Sequence, residues 1–294
     1  MSAGLTDRVA TWRQRGEETG FDGHRVHLFS RAGAGPTLLL LHGFPTCSYD
    51  WRLLVELVGD RAVVAPDLLG YGLSEKPRNH DYTLVEGADL AEEVIRRQAP
   101  GTPVFAVGHD IGTSVANELM ARDLDGALSF ELAGVLLLNG SMVQDAASPT
   151  LGQRLLRGRL GPLVSRLSSE RFFRSQFGSI FSPDHPLTEQ EAADQWSLIT
   201  HSGGQRIAHL LIRYMDERMA RAERWHGAIR NWPGPLSLAW GMLDPVATPE
   251  VLVAVRDLRP EAPVMEWEDL GHYPHLEDPA RVSAGLLSAL EASL

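Results

Sequence analysis

The chain has a single cysteine, Cys47, so an intramolecular disulfide is excluded, and a reducing, cytoplasmic setting is expected. It has no run of around 20 consecutive apolar residues, which argues against a membrane span. Positive charge is scarce relative to negative charge: the net charge of −11 argues against a nucleic-acid partner. The first twenty residues are polar and charged with no apolar core, so no secretory leader is expected. The triplet Asn139-Gly140-Ser141 is accordingly read as a chance match to a glycosylation acceptor. There is no His-Glu-x-x-His, no Cys-x-x-Cys and no phosphate or dinucleotide fingerprint, so neither a metal nor a cofactor is expected. Internal repeats and low-complexity segments are also missing.

What is present is an alternation of short apolar runs and amphipathic segments over 294 residues, 44% of them hydrophobic. Strand-like runs fall at residues 25–29, 37–41, 62–65, 104–107, 135–138, 236–240 and 264–267. Helix-like runs fall at 49–58, 84–97, 113–122, 249–255 and 279–293. Such alternation predicts an α/β fold, a mostly parallel sheet with helices on both faces. The pattern breaks between residues 144 and 233, which are rich in Arg, Ser, Leu and aromatic residues. There Ile207, Leu210, Leu211 and Tyr214 recur at spacings of three and four, which predicts one helix face. We read a helical cap at residues 144–233, inserted into a core formed by residues 1–143 and 234–294. Arg154, Arg157 and Arg159 are expected on a solvated helix face of that cap.

The residues that carry chemistry sit at the ends of the strand-like runs. Gly108-His109-Asp110-Ile111-Gly112 lies between an apolar run and a helix-like run. A strand, a Gly-x-nucleophile-x-Gly turn and a helix form a nucleophile elbow, here with Asp110 at its tip. A carboxylate is ionised at neutral pH and can attack an sp³ carbon directly, leaving an ester. Hydrolysing that ester needs a base and donors for the oxyanion. His272, after the run at 264–267, is the candidate base. Asp244, after the run at 236–240, is the acid that would orient it, with Asn139 as a minor rival. The backbone N–H groups of Phe44 and Ile111 are the candidate oxyanion donors. His42, Asp67 and Ser74 are read as structural. His272, His275 and Glu277 could suggest a metal site, but an active-site loop accounts for them better.

The motifs His42-Gly43-Phe44-Pro45-Thr46, Asp67 to Ser74, Gly108 to Gly112 and Gly271-His272-Tyr273 together resemble the α/β-hydrolases with an aspartate nucleophile, the epoxide hydrolases and haloalkane dehalogenases. The resemblance runs from about Arg25 to the C-terminus. Within that group the chain looks most like the mesoderm-specific-transcript-like branch, in His42 to Trp51, Leu69 to Pro77 and His272 to Pro279. A dehalogenase would place halide-binding side-chain donors at the positions of Ile111 and Phe44, and neither side chain can donate. A fluoroacetate dehalogenase would place an arginine where Ile111 stands. An epoxide hydrolase implies a cap tyrosine that protonates the opening oxygen, and Tyr214 falls where the second of the family's two cap tyrosines would. Phe173 and Phe177 occupy the region of the first. Phe173, Phe177 and Trp196 are candidates to line an apolar pocket.

The resemblance therefore implies a cofactor-independent epoxide hydrolase that turns a small apolar epoxide and water into a vicinal diol. The alternatives are a dehalogenase using the same triad and a non-catalytic binding protein on a hydrolase scaffold.

Overall fold

The computed structural model describes residues 4–294. Its centre is an eight-stranded sheet: β1 (Glu17–Phe21), β2 (His24–Arg31), β3 (Ala34–Leu41), β4 (Arg61–Pro66), β5 (Val104–His109), β6 (Leu132–Leu138), β7 (Leu236–Gly241) and β8 (Val264–Trp267). The order across the sheet is β1-β2-β4-β3-β5-β6-β7-β8. β1 and β2 pair antiparallel, as do β2 and β4, and every pair from β4 to β8 is parallel. The central strands carry unbroken apolar runs such as Leu38-Leu39-Leu40-Leu41 and Val135 to Leu138, all fully buried. That is the pattern of strands covered on both faces rather than one.

The core helices are α1 (Asp7–Arg15), α2 (Leu54–Leu57), α3 (Leu84–Gln98) and α4 (Ile111–Leu124). Between β6 and β7 the chain leaves the sheet for a helical insertion: α5 (Leu151–Arg157), α6 (Gly161–Leu167), α7 (Glu170–Gly178), α8 (Glu189–Thr200), α9 (Ala208–Leu211), α10 (Tyr214–Ala220) and α11 (Ala222–Asn231). The core then closes with α12 (Pro249–Leu258), α13 (Pro274–Glu277) and α14 (Pro279–Glu291). No helix among the described residues is long and apolar enough to cross a membrane.

Two local expectations are corrected, and two elements outside the runs read from the sequence are added. The added elements are α1 and the edge strand β1. Thr6 caps α1 through its side chain, and Val9 and Trp12 anchor it in the core. Residues 49–58 form a 3₁₀ turn, Ser48–Arg52, followed by the short α2. Ile207, Leu210, Leu211 and Tyr214 do not share one helix. Ile207 ends a 3₁₀ segment that bends at Ser202 and Gly203, both with positive φ, and Tyr214 opens α10. The joints are tightened by i→i+3 bonds, Arg213 N–H to Leu210 and Met215 N–H to Ile212. Over one turn the 3₁₀ and α periods barely differ, so Ile207, Leu211 and Tyr214 are still buried while Leu210 is only partly so.

Candidate active site

The loops that follow β3, β5, β7 and β8 converge at the C-terminal edge of the parallel strands, where open α/β sheets hold their ligands. Asp110 stands between β5 and α4 with φ 46° and ψ −107°, a backbone conformation that non-glycine residues rarely adopt. The flanking glycines make this turn possible. A Cβ on Gly108 would lie 2.4 Å from the Gly112 carbonyl oxygen, and one on Gly112 would lie 2.2 Å from that of Leu41. The elbow thus presses β5, α4 and β3 together and leaves the Asp110 carboxylate at the tip, almost wholly buried.

One carboxylate oxygen, Oδ2, accepts the Phe44 N–H at 2.9 Å. Ile111 is the first residue of α4, where a helix leaves its N–H without an internal acceptor. The Phe44 loop is itself fixed: His42 Nε2 accepts the Leu68 N–H at 3.0 Å, and Tyr273 Oη donates to the Phe44 carbonyl at 3.0 Å. Asp67 accepts from Ser48 and Leu73 N–H, and Ser74 Oγ donates to the Asp67 carbonyl. These polar side chains hold backbone in place, as their positions in the sequence suggest.

His272 Nδ1 lies 2.7 Å from Asp244 Oδ2. Asp244 is locked by its other oxygen, which accepts Val246 N–H at 2.7 Å and Ala247 N–H at 3.0 Å. Asn139 does not replace Asp244. Its amide donates to the same carboxylate at 2.8 Å and ties it to Gly241. Burial works against the imidazolium of His272. The charge and hydrogen bond of Asp244 outweigh it, and Asp110 adds to them, so the imidazole lies above its ordinary pKa. Glu277 accepts the N–H groups of Gly271, Tyr273 and Ser182, so it braces the His272 loop with backbone bonds. His109, held down to about 3 by burial and then by the charge of His272, stays neutral, and its Nε2 lies 2.8 Å from the His272 carbonyl oxygen.

The insertion roofs this arrangement. A cavity of about 120 Å³ is lined by Phe44, His272, Phe172, Phe173, Phe177 and Trp196, with Gln153 among its few polar groups. Phe173 stacks on both Phe177 and Trp196, so all three pocket candidates form one aromatic wall.

Tyr214 is brought under the cap beside Phe44, ring centroids 5.5 Å apart. Its hydroxyl is raised well above the ordinary phenol value, first by burial and then by the charge of Asp110. Its hydrogen-bond partner is Gln153, a residue that sequence reasoning passed over. Thr150 and Gln153 form a capping box at the start of α5: Gln153 Oε1 accepts the Thr150 N–H at 2.7 Å. With the oxygen so used, the amide nitrogen points to Tyr214 Oη at 3.1 Å and donates to it. The spacing Thr-x-x-Gln was the available signal, since it marks a helix start.

Arg218 was also missed. It is buried to 1% exposure one helical turn after Tyr214. Its Nε donates to Ser114 Oγ at 2.8 Å, and its Nη2 donates to the Asp110 carbonyl at 2.8 Å and reaches Asp110 Oδ1 at 3.3 Å. The guanidinium carbon sits 4.7 Å from the centroid of the Tyr214 ring. Position Ile111 has no arginine, yet a cation reaches the elbow from the cap. Nothing in the sequence near the elbow signals it.

LipZ of Mycobacterium tuberculosis is 48% identical over 96% of this chain and 98% of its own length. The mesoderm-specific transcript protein of Mus musculus is 33% identical over 94% of this chain and 85% of its own. Among solved structures, the epoxide hydrolase CorEH superposes with a TM-score of 0.74 at 20% identity, covering 94% of this chain and 98% of that one. A haloalkane dehalogenase variant from Bradyrhizobium elkanii superposes with a TM-score of 0.76 at 20% identity, covering 95% and 96%. At that identity the two structures speak to the fold alone. The model of the "Alpha/beta hydrolase family" matches residues 38–284, and with these relatives it shows that the chain belongs to that family.

Proposed function

We propose that the protein is an epoxide hydrolase working through a covalent ester on Asp110. The observation that carries this reading is the Gln153–Tyr214 bond. Because Gln153 donates to the Tyr214 oxygen, the tyrosine's own proton is left for another acceptor, and the phenol is held protonated beside the carboxylate. An epoxide needs such a donor, because ring opening makes an alkoxide.

In this reading Asp110 Oδ1, the oxygen not held by Phe44, attacks the less hindered ring carbon. The carbon–oxygen bond opens and the oxygen takes the Tyr214 proton. Arg218, against the Tyr214 ring, stabilises the tyrosinate that results. His272 then removes a proton from water as the hydroxide adds to the Asp110 Cγ. The oxyanion forms on Oδ2, already paired with Phe44 N–H, with the Ile111 N–H as the second donor. Collapse releases the diol oxygen, which takes the proton from His272. The proton left over from forming the carboxylate returns to Tyr214, so the balance is epoxide plus water to diol.

The test is intact mass of the His272→Gln protein after exposure to panels of epoxides and haloalkanes. A gain equal to the whole epoxide, located on Asp110, supports the reading. A gain equal to an alkyl group, with halide released, moves the assignment to a dehalogenase. No adduct from either panel, with the fold intact, removes the aspartate-nucleophile mechanism and favours a binding role.

A further inference from the structure

The three helices that open the insertion show two unlike faces. Inward, Leu156, Ser168, Phe172 and Phe173 help line the cavity beside His272. Outward, Leu151, Leu155, Leu160, Leu163 and Leu167 are 59, 42, 68, 52 and 72% exposed. Leu151 and Leu155 are four residues apart on α5. Leu160, Leu163 and Leu167 are spaced three and four apart at the start of α6 and along it, so each set falls on one helix face. Single exposed leucines are ordinary on protein surfaces, whereas a concentration on consecutive helices marks an interaction surface.

The charge of this segment runs against the rest of the chain. Residues 151–174 carry Arg154, Arg157, Arg159, Arg166, Arg171 and Arg174 against one acid, Glu170, in a chain of net charge −11. Among the described residues, only Arg157 and Arg174 of these six have an ion-pair partner. Beside α6 lies a cleft of about 500 Å³ lined by Arg78, Arg166, Arg206 and His209, together with Pro162, Ile207 and Leu210. None of its three arginines has an ion-pair partner among the described residues, and no acid lines it. The field there is positive: after burial, the charges of Arg213 and Arg166 hold His209 below its ordinary value.

We propose that α5–α7 dock onto an anionic phospholipid surface, with the leucines entering the acyl boundary and the arginine cleft receiving phosphate headgroups. Basic and apolar side chains interleaved on short helices are what an interfacial surface needs. A second copy of this chain fits less well. An isologous contact would set the unpaired arginines of one copy against those of the other. The remaining acidic surface is repelled by an anionic bilayer, so only the cap side is turned toward it. The cavity that these helices line on their inner face then lies on the lipid side of the molecule, close to an apolar substrate held in the bilayer. That last step rests on the proposed function, whereas the docking does not.

The test is flotation of the whole protein with phosphatidylcholine vesicles, with and without phosphatidylglycerol, at low and high salt. The expected result is binding to the anionic vesicles, weakened by salt and by roughly fivefold for each arginine removed. Leu163→Ser with Leu167→Ser, and separately Arg159→Gln with Arg166→Gln, should each reduce the bound fraction, with circular dichroism and melting confirming that both variants fold. No flotation on anionic vesicles overturns the proposal. So does binding unchanged in the leucine variant, or a dimer in light scattering that the leucine changes dissolve. Trapping of the ester in His272→Gln with a water-dissolved epoxide needs no vesicle, so failure of docking and failure of the chemistry are told apart.

Discussion

Gln153→Glu separates two roles of one side chain. A carboxylate still accepts the Thr150 N–H, so the start of α5 survives, but it cannot donate to Tyr214 and instead accepts that hydroxyl's proton. Ester formation should slow by about 10²-fold or more, the usual contribution of a positioned acid, with little change in melting temperature. Stopped-flow measurement of ester formation beside a thermal melt decides it; an unchanged rate would remove Tyr214 as the acid. At His272 the sign of the pH effect follows from its neighbours. Its imidazole is raised in the free protein with Asp110 contributing, and only the neutral ring can act as base. Ester decay should therefore fall as pH drops through its pKa. Once Asp110 is an ester its charge is gone, so the inflection for ester decay should lie below the His272 titration in the free protein. Single-turnover decay against pH, compared with an NMR titration of His272, checks both statements. Arg218→Met should leave a carboxylate with one donor fewer and a tyrosinate without its cation. The expected loss lies in the rate of ester formation rather than of ester decay, and Arg218→Lys should restore part of it.

Among the elements, the capping box of α5 couples a helix end to the site. Thr150→Ala removes the side-chain acceptor of the Gln153 N–H, at a cost of about 1 kcal/mol if the helix frays no further. Turnover should change little by comparison, because the anchor that aims the Gln153 amide is the Thr150 backbone N–H, which alanine keeps. Urea unfolding and steady-state rates on the same preparation separate the two. This coupling also shows where the sequence was readable. β3, β5, β6 and β7 were visible because strands covered on both faces must be apolar throughout, and Asp110 and Asp244 were visible because each follows such a strand; His272 follows the half-exposed edge strand β8 and was visible from its Gly271-His272-Tyr273 setting. The structure brings these three, with Phe44, Ile111 and Tyr214, to one place. Gln153 and Arg218 were not visible. Their roles depend on how short cap helices fold back over the sheet, and the local pattern around them reports only a helix start and an amphipathic turn. The edge strand β1 escaped for a related reason: in Glu-Glu-Thr-Gly-Phe only Thr19 and Phe21 are half-buried, too short an apolar pattern to read as a strand.

At the scale of the whole molecule, the insertion is joined to the core by a buried polar network as well as by the aromatic wall. Asp194 on α8 accepts Tyr49 Oη at 2.7 Å and pairs with Arg8 of α1, while Arg52 pairs with Glu191. Within it, Asp50 accepts Gln195 Nε2 at 2.7 Å and bonds Thr46. Burial, against the hydrogen bonds of Thr46 and Gln195, pushes the Asp50 carboxyl up to about 7, with Glu191 adding to the rise and Arg52 opposing it. A carboxyl whose folded pKa lies above its unfolded value of about 3.9 stabilises the fold when protonated. That contribution is complete below about pH 4 and is lost as pH rises to about 7, amounting to up to roughly 4 kcal/mol. When protonated, Asp50 can donate to Thr46 Oγ1, whose own proton then goes to the Gly43 carbonyl at 3.3 Å. An amide at this position can make the same bonds at every pH. Asp50→Asn should therefore be more stable than the parent at pH 8, and its advantage should shrink steadily toward pH 4. Urea unfolding of both proteins from pH 4 to 8 measures that gap directly, since other titrating groups cancel in the difference. A gap that does not change with pH would mean that Asp50 stays charged in the fold and that the network holds the insertion as an ionic cluster.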